Sequence, residues 1–113
     1  MSQITTHVLD TAKGLPAEGI LISLQRPIGD NQWEDITSGT TNSDGRVPNF
    51  LAADQVISPG IYRMLFDTKG YFKQNDTQGF YPEVPVIFEI KDTAHYHIPL
   101  LLSPFGYSTY RGS

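Results

Sequence analysis

The sequence contains no cysteine. That excludes a disulfide framework, a thiolate nucleophile and a cysteine-ligated zinc, and it suits a reducing compartment. It has no run of about 18 apolar residues, so no segment reads as a membrane-spanning helix. Positive charge is scarce. Eight lysines and arginines against twelve acidic residues leave a net charge of −4, and the basic residues are scattered. A general nucleic-acid binder would show a basic patch or stripe. The opening MSQITTHVLD has neither a basic n-region nor an apolar h-region, so no signal peptide is read and a cytoplasmic protein is the expectation. Glycine-rich phosphate loops, the Gly-x-Ser-x-Gly nucleophile elbow, internal repeats and low-complexity stretches are all missing.

What is present suits one β-rich domain over residues 1–113. Hydrophobic residues make up 39% and aromatics 12%, enough for a real core. A domain this small keeps much of its surface exposed, so oligomerisation would help it. Ten glycines and eight prolines cut the chain into β-branched and aromatic runs, the pattern of a sandwich or barrel. Strands are predicted at 4–9, 20–26, 33–41, 61–67, 84–91, 95–102 and 106–111, with a short weak one around Arg46–Phe50; Asp10–Gly19 reads as a loop. FLAADQV or DTKGYFKQN could form a turn or two of helix, neither long enough to stand alone. Pro99 predicts that the 95–102 strand lies at a sheet edge or is bulged there, because proline cannot donate to a ladder.

Side chains alternate faces along a strand. Tyr96, Ile98, Leu100 and Leu102 form a continuous apolar face and read as core. His95 and His97 then point away from it. On the first strand Thr5, His7 and Leu9 share one face. These are the three histidines of the chain, and histidine is the side chain best suited to acid–base work near neutrality. His95 and His97 at i, i+2 could begin a metal site with His7 as a third ligand, but Asp92 is the nearest carboxylate and is assigned to the turn KDTA. Arg46 directly follows Asn-Ser-Asp-Gly, where Asp and Gly are expected to supply the special backbone angles. A guanidinium held there could recognise a planar anionic group.

Three stretches together go further. TTHVLDTAKGLPA near the start, TNSDGRVPNF in the middle and HYHIPLLLSPFGYSTYRGS at the end resemble the transthyretin family, and within it the hydrolase branch that ends in Tyr-Arg-Gly-Ser. The resemblance runs in register from residue 4 to 113. It implies an all-β, two-sheet sandwich of eight strands with one short helix. It also implies a homotetramer, a dimer of dimers, with active sites across a central channel. The implied reaction is hydrolytic opening of 5-hydroxyisourate to 2-oxo-4-hydroxy-4-carboxy-5-ureidoimidazoline, on the route from urate to allantoin, without metal or cofactor. By match to the family motifs, the catalytic set is His7, Arg46, His97 and Ser113. The substrate-binding set is His7, Arg46, Tyr110, Arg111, Gly112 and Ser113. Ser113 would act through its hydroxyl or its terminal carboxylate, and lengthening the chain beyond it should impair the enzyme. His95 matches no role. The hormone-carrier branch lacks this set of polar residues. Two alternatives stand beside the hydrolase: a carrier of small aromatic ligands, and a zinc hydrolase using His7, His95 and His97.

Overall fold

The computed structural model describes residues 2–113. Two four-stranded sheets face each other. One has the order β2-β1-β7-β8 and the other β4-β3-β5-β6. The strands are β1 (Ile4–Asp10), β2 (Leu15–Pro16), β3 (Leu21–Gly29), β4 (Gln32–Thr40), β5 (Gly60–Phe66), β6 (Val84–Ile90), β7 (Tyr96–Ser103) and β8 (Gly106–Thr109). One helix, α1 (Thr68–Gln74), lies between β5 and β6. No helix among the described residues is long and apolar enough to cross a membrane. The all-β sandwich of eight strands and one short helix is therefore present.

Its eighth strand comes from an unexpected place. The segment around Arg46–Phe50 forms no strand, and only an isolated antiparallel bridge between His7 and Arg46 survives there. The missing member is Leu15–Pro16, inside the stretch read as a loop, which pairs back on Leu9 and Asp10. Two residues leave no periodicity for a sequence reading to catch.

The inward faces follow the alternation. Ile4 and Val8 of β1 and Ile98, Leu100 and Leu102 of β7 meet Ile22, Leu24, Met64 and Phe66 of the opposite sheet. The edge position expected for β7 is wrong. β7 is an interior strand, parallel to β1 on one side and antiparallel to β8 on the other. Pro99 is tolerated because the main-chain groups of His97, Pro99 and Leu101 face β8, and the β7–β8 ladder stops at Leu100↔Thr109, one residue short of the proline. The Pro99 carbonyl is met by the Thr109 hydroxyl at 2.6 Å. The proline thus ends β8 rather than making β7 an edge.

Of the two stretches considered for helix, only the second forms one. The Asp67 side chain accepts from the Gly70 N–H at 3.0 Å, a favourable N-cap arrangement. Thr68, Tyr71 and Phe72 are buried along one side, so tertiary packing holds a helix too short to persist alone. Tyr71 donates to Asp10 Oδ2 at 2.7 Å, while Asp10 Oδ1 accepts from Ala12 and Lys13 N–H. Burial, followed by the Asp10 hydrogen bond and charge, pushes the Tyr71 phenol upward and keeps it protonated. This buried pair fastens the helix to the end of β1. Replacing Tyr71 by Phe leaves one oxygen of a carboxylate only 3% exposed without its partner. Urea unfolding should show a loss of about 1–3 kcal/mol; an unchanged midpoint would mean that Asp10 is satisfied otherwise.

Candidate functional site

The site grows from the outward face of the β1–β7 pair. Their parallel register sets Thr5 beside His97 and His7 beside Pro99. Because alternate residues share a face, Thr5, His7 and His97 emerge together on the side away from the core. All three are half-buried. His95 enters from the segment just before β7, with its ring 6.3 Å from that of His97 and tilted by 24°. Thr5 Oγ1 lies 2.8 Å from His97 Nδ1 and 2.8 Å from His95 Nε2.

Arg46 is brought in by the turn that follows β4. The Asn42 side-chain oxygen accepts the N–H groups of Asp44 and Arg46, and the Asn42 N–H donates to the Arg46 carbonyl at 2.8 Å. Gly45 then passes against β1, its carbonyl accepting from Val8 N–H at 2.9 Å. It has φ +74°, and a Cβ there would overlap the Val8 carbonyl oxygen, so only glycine fits. Asp44 does not adopt a positive φ. The special angle belongs to Gly45 alone, and Asn42 rather than Asp44 organises the turn.

The His97 ring therefore sits beside the Arg46 guanidinium and two further imidazoles. Burial first, then the charge of Arg46, then His95 and His7, hold its pKa below the ordinary histidine value, while a hydrogen bond with the Thr5 backbone acts the other way. In a chain of net charge −4 this sets the positive charge of Arg46 beside an imidazole that favours its neutral form. It can accept a proton and can attract an electron-rich planar group. Among the described residues no group of three or more His, Asp or Glu side chains is arranged to hold a metal ion. Asp92 serves its turn, accepting from Ala94 N–H and the Tyr96 hydroxyl.

The segment after β8 closes one side. Gly112 N–H donates to the His97 carbonyl at 2.9 Å, restoring the pairing that Pro99 interrupts. A Cβ on Gly112 would run into the edge of the His97 ring at Cδ2, so the close approach requires glycine. Arg111, matched to the substrate-contacting set, has its guanidinium 4.4 Å from the centre of the Tyr96 ring. The Tyr96 hydroxyl donates to Asp92 at 2.8 Å. That bond, the Ala94 N–H and the Arg111 charge hold the Asp92 carboxyl low. Tyr110 and Ser113 are exposed. Tyr110, Arg111 and His97 border a cavity of about 280 Å³ whose other wall is Val86 and Phe88 of β6. A cleft of about 640 Å³ beside the end of α1 contains no histidine.

His7, Arg46, His97 and Gly112 thus lie together. Arg111 borders the His97 cavity with its guanidinium over Tyr96, and Thr5 and the Tyr96–Asp92 pair are additions. Nothing in TTHVL marks Thr5 as special, because its importance comes from a strand some ninety residues later in the chain.

Known proteins sharpen this geometry. Residues 4–112 match the HIUase/Transthyretin family. A 5-hydroxyisourate hydrolase of Mus musculus is 50% identical, covering 99% of this chain and 96% of its own. The solved structure of Klebsiella pneumoniae 5-hydroxyisourate hydrolase superposes with a TM-score of 0.84 at 35% identity, over 97% of this chain and 98% of that one. Sea bream transthyretin, solved in complex with thyroxine, superposes with a TM-score of 0.89 at 31% identity, over 98% and 95%. With the family match spanning nearly the whole chain, and with a half-identical relative of equal extent, this protein belongs to the HIUase/Transthyretin family.

Proposed function

We propose that this protein is a 5-hydroxyisourate hydrolase, a cyclic-amide hydrolase of purine degradation that opens 5-hydroxyisourate to 2-oxo-4-hydroxy-4-carboxy-5-ureidoimidazoline. The observation that carries the reading is the meeting of His7, Arg46 and a neutral His97 on one face, with Gly112 packed against His97. Fold alone decides nothing, since a transthyretin superposes as well as a hydrolase does, and function has to be argued from the site. A pocket serving only to hold an aromatic ligand has no use for two histidines and an arginine converging around one desolvated imidazole. The carrier reading is the weaker one for that reason.

The reaction needs a base for water, charge stabilisation for the oxyanion, and a proton for the leaving nitrogen. His97 is the base. Burial and the Arg46 charge keep it neutral, so it can take a proton from water as the oxygen bonds to the ring carbonyl carbon. The C–N bond then breaks, the leaving nitrogen takes the proton held by His97, and the carbonyl becomes a carboxylic acid, which loses the second water proton to solvent to give the carboxylate. His7 orients the water or returns the proton. Arg46 holds the planar ring and offsets the negative charge that develops. Tyr110 and Ser113 close the pocket against the substrate. Gly112 permits the approach of this segment to His97, and Arg111 anchors it through Tyr96 and Asp92. The scheme calls for no metal.

Homotetramer assembly, as a dimer of dimers, belongs to the same proposal. It is supported by the unpaired edges of β6 and β8 and by exposed apolar side chains such as Ile87, Phe105 and Tyr107, features that in other proteins mark association surfaces. A cytoplasmic location, the default expectation from the sequence, is part of it too.

The deciding assay oxidises urate with urate oxidase, adds this protein, and follows the ultraviolet decay of the unstable product with and without a chelator. The hydrolase reading expects acceleration in both arms. Acceleration lost to chelator and restored by zinc would favour the metal reading, and saturable ligand binding with no acceleration the carrier. In the same assay His97→Ala should lose about 10²–10⁴ in rate.

The pH dependence follows from the depressed His97 pKa. The neutral form is active, so kcat/KM should fall as pH drops through a midpoint below 6.5, the ordinary value. Replacing Arg46 by Gln removes a cation that disfavours protonation and should move the His97 midpoint upward, read by NMR titration of the ring. A midpoint that stays put would remove Arg46 as a cause. Gly112→Ala should lower kcat with little change in urea stability, because the methyl displaces the segment from the His97 ring and leaves the core untouched. Full activity in that variant would show the close approach to be dispensable.

A further inference from the structure

Thr5 lies at the centre of the histidine cluster, yet the scheme above makes no use of it. Its hydroxyl oxygen is 2.8 Å from a ring nitrogen of His97 and 2.8 Å from one of His95. A threonine hydroxyl has a single hydrogen but can accept twice. It can donate to only one imidazole, so at least one of the two facing nitrogens must bring its own hydrogen. The proton positions on the two rings are coupled through this one atom.

Two neutral arrangements give the hydroxyl hydrogen a partner within the cluster. In one, His97 Nδ1–H donates to Thr5 and Thr5 donates to His95 Nε2. In the other the chain of donors runs in reverse. Occupancy of the ring nitrogens selects between them. Nδ1 is taken up by Thr5 at 2.8 Å, so only Nε2 can meet water, and a neutral ring that accepts a proton at Nε2 carries its hydrogen on Nδ1. The remaining nitrogen, Nε2, neighbours Cδ2, the edge against which Gly112 packs. It is left with a lone pair on the side of the closing segment.

We propose that Thr5 is a positioning residue: it holds His97 as the Nδ1–H tautomer with Nε2 free to take a proton from water, and His95 is the acceptor that keeps the Thr5 hydroxyl turned that way. Its catalytic consequence rests on the hydrolase reading. When Nε2 takes the proton, Nδ1–H continues to donate to Thr5, so no hydrogen bond on that side has to be remade before the proton passes to the leaving nitrogen. The hydrogen bond at one ring nitrogen fixes what the other can do. This gives His95 a use and explains the i, i+2 pair without a metal between the rings.

The experiment pairs a readout of the tautomer with one of rate. Long-range nitrogen–proton NMR correlations on the ¹⁵N-labelled full chain assign the hydrogen on each ring, whatever the protein catalyses. Wild type is expected to show Nδ1–H at His97 and Nδ1–H at His95. Thr5→Val keeps the shape and removes the hydroxyl. It should give a mixed or reversed tautomer at His97, and a kcat at least about tenfold lower, short of the roughly 10²–10⁴ lost with His97 itself. KM should change little. Thr5→Ser should restore both the tautomer and kcat. An Nε2–H signal at His97 in wild type would overturn the proposal, as would a Thr5→Val protein with unchanged tautomer and kcat. If Thr5→Val fails to fold, the wild-type spectrum and Thr5→Ser still decide. If wild type does not accelerate decay of the urate oxidase product, the hydrolase reading fails, and the tautomer measurement stands apart from it.

Discussion

The parallel pairing of β1 with β7 is the constraint on which the rest depends. It joins the first and last thirds of the chain over seven consecutive partners, from Ile4↔Tyr96 to Asp10↔Leu102. One side of that pair supplies Ile4, Val8, Ile98 and Leu100 to the core, and the other supplies Thr5, His7 and His97 to the site. A slip of one residue in either strand would turn its polar set inward and its apolar set outward. The hydrophobic core therefore fixes the relative placement of the site residues, since the alternation that buries Ile98 is the one that exposes His97.

Two glycines and one proline bring the outlying segments to that face. Gly45 lets the Asn42–Arg46 turn lie against β1, and Gly112 lets the final segment lie against His97. Pro99 ends the β7–β8 ladder, which frees the chain after Thr109 to change course before Gly112 rejoins β7. Arg111 has its own attachment on Tyr96 and Asp92. The closing segment is thus held on both sides of β7, by a charge over an aromatic ring on one side and by a backbone hydrogen bond on the other.

The electrostatic character of the site is opposite to that of the chain. With Arg46 and two further histidines around it and partial burial besides, His97 has every reason to stay neutral. Desolvation penalises the charged form, and like charges nearby add to the penalty. A positively biased, partly dry cleft with one basic nitrogen can draw in an electron-rich ring and activate water against it. The same sandwich without that cluster would be a container.

Local pattern made much of the fold legible. Alternation identified the buried face of β7, the glycine and proline spacing marked most strands, and the helix was one of the two stretches considered. The polar motifs His7, Arg46, His97 and Tyr110–Ser113 were readable as a set by their resemblance to a family. What local pattern could not decide was partnership. A two-residue strand at Leu15–Pro16, an interior place for a proline-bearing strand, a glycine needed because a histidine ring lies against it, and a threonine shared by two imidazoles all depend on residues distant in the chain. Alternation and turn chemistry act over a few residues and are written in the sequence itself. Register between β1 and β7, and the hydrogen bonds and overlaps that follow from it, exist only once the core has closed.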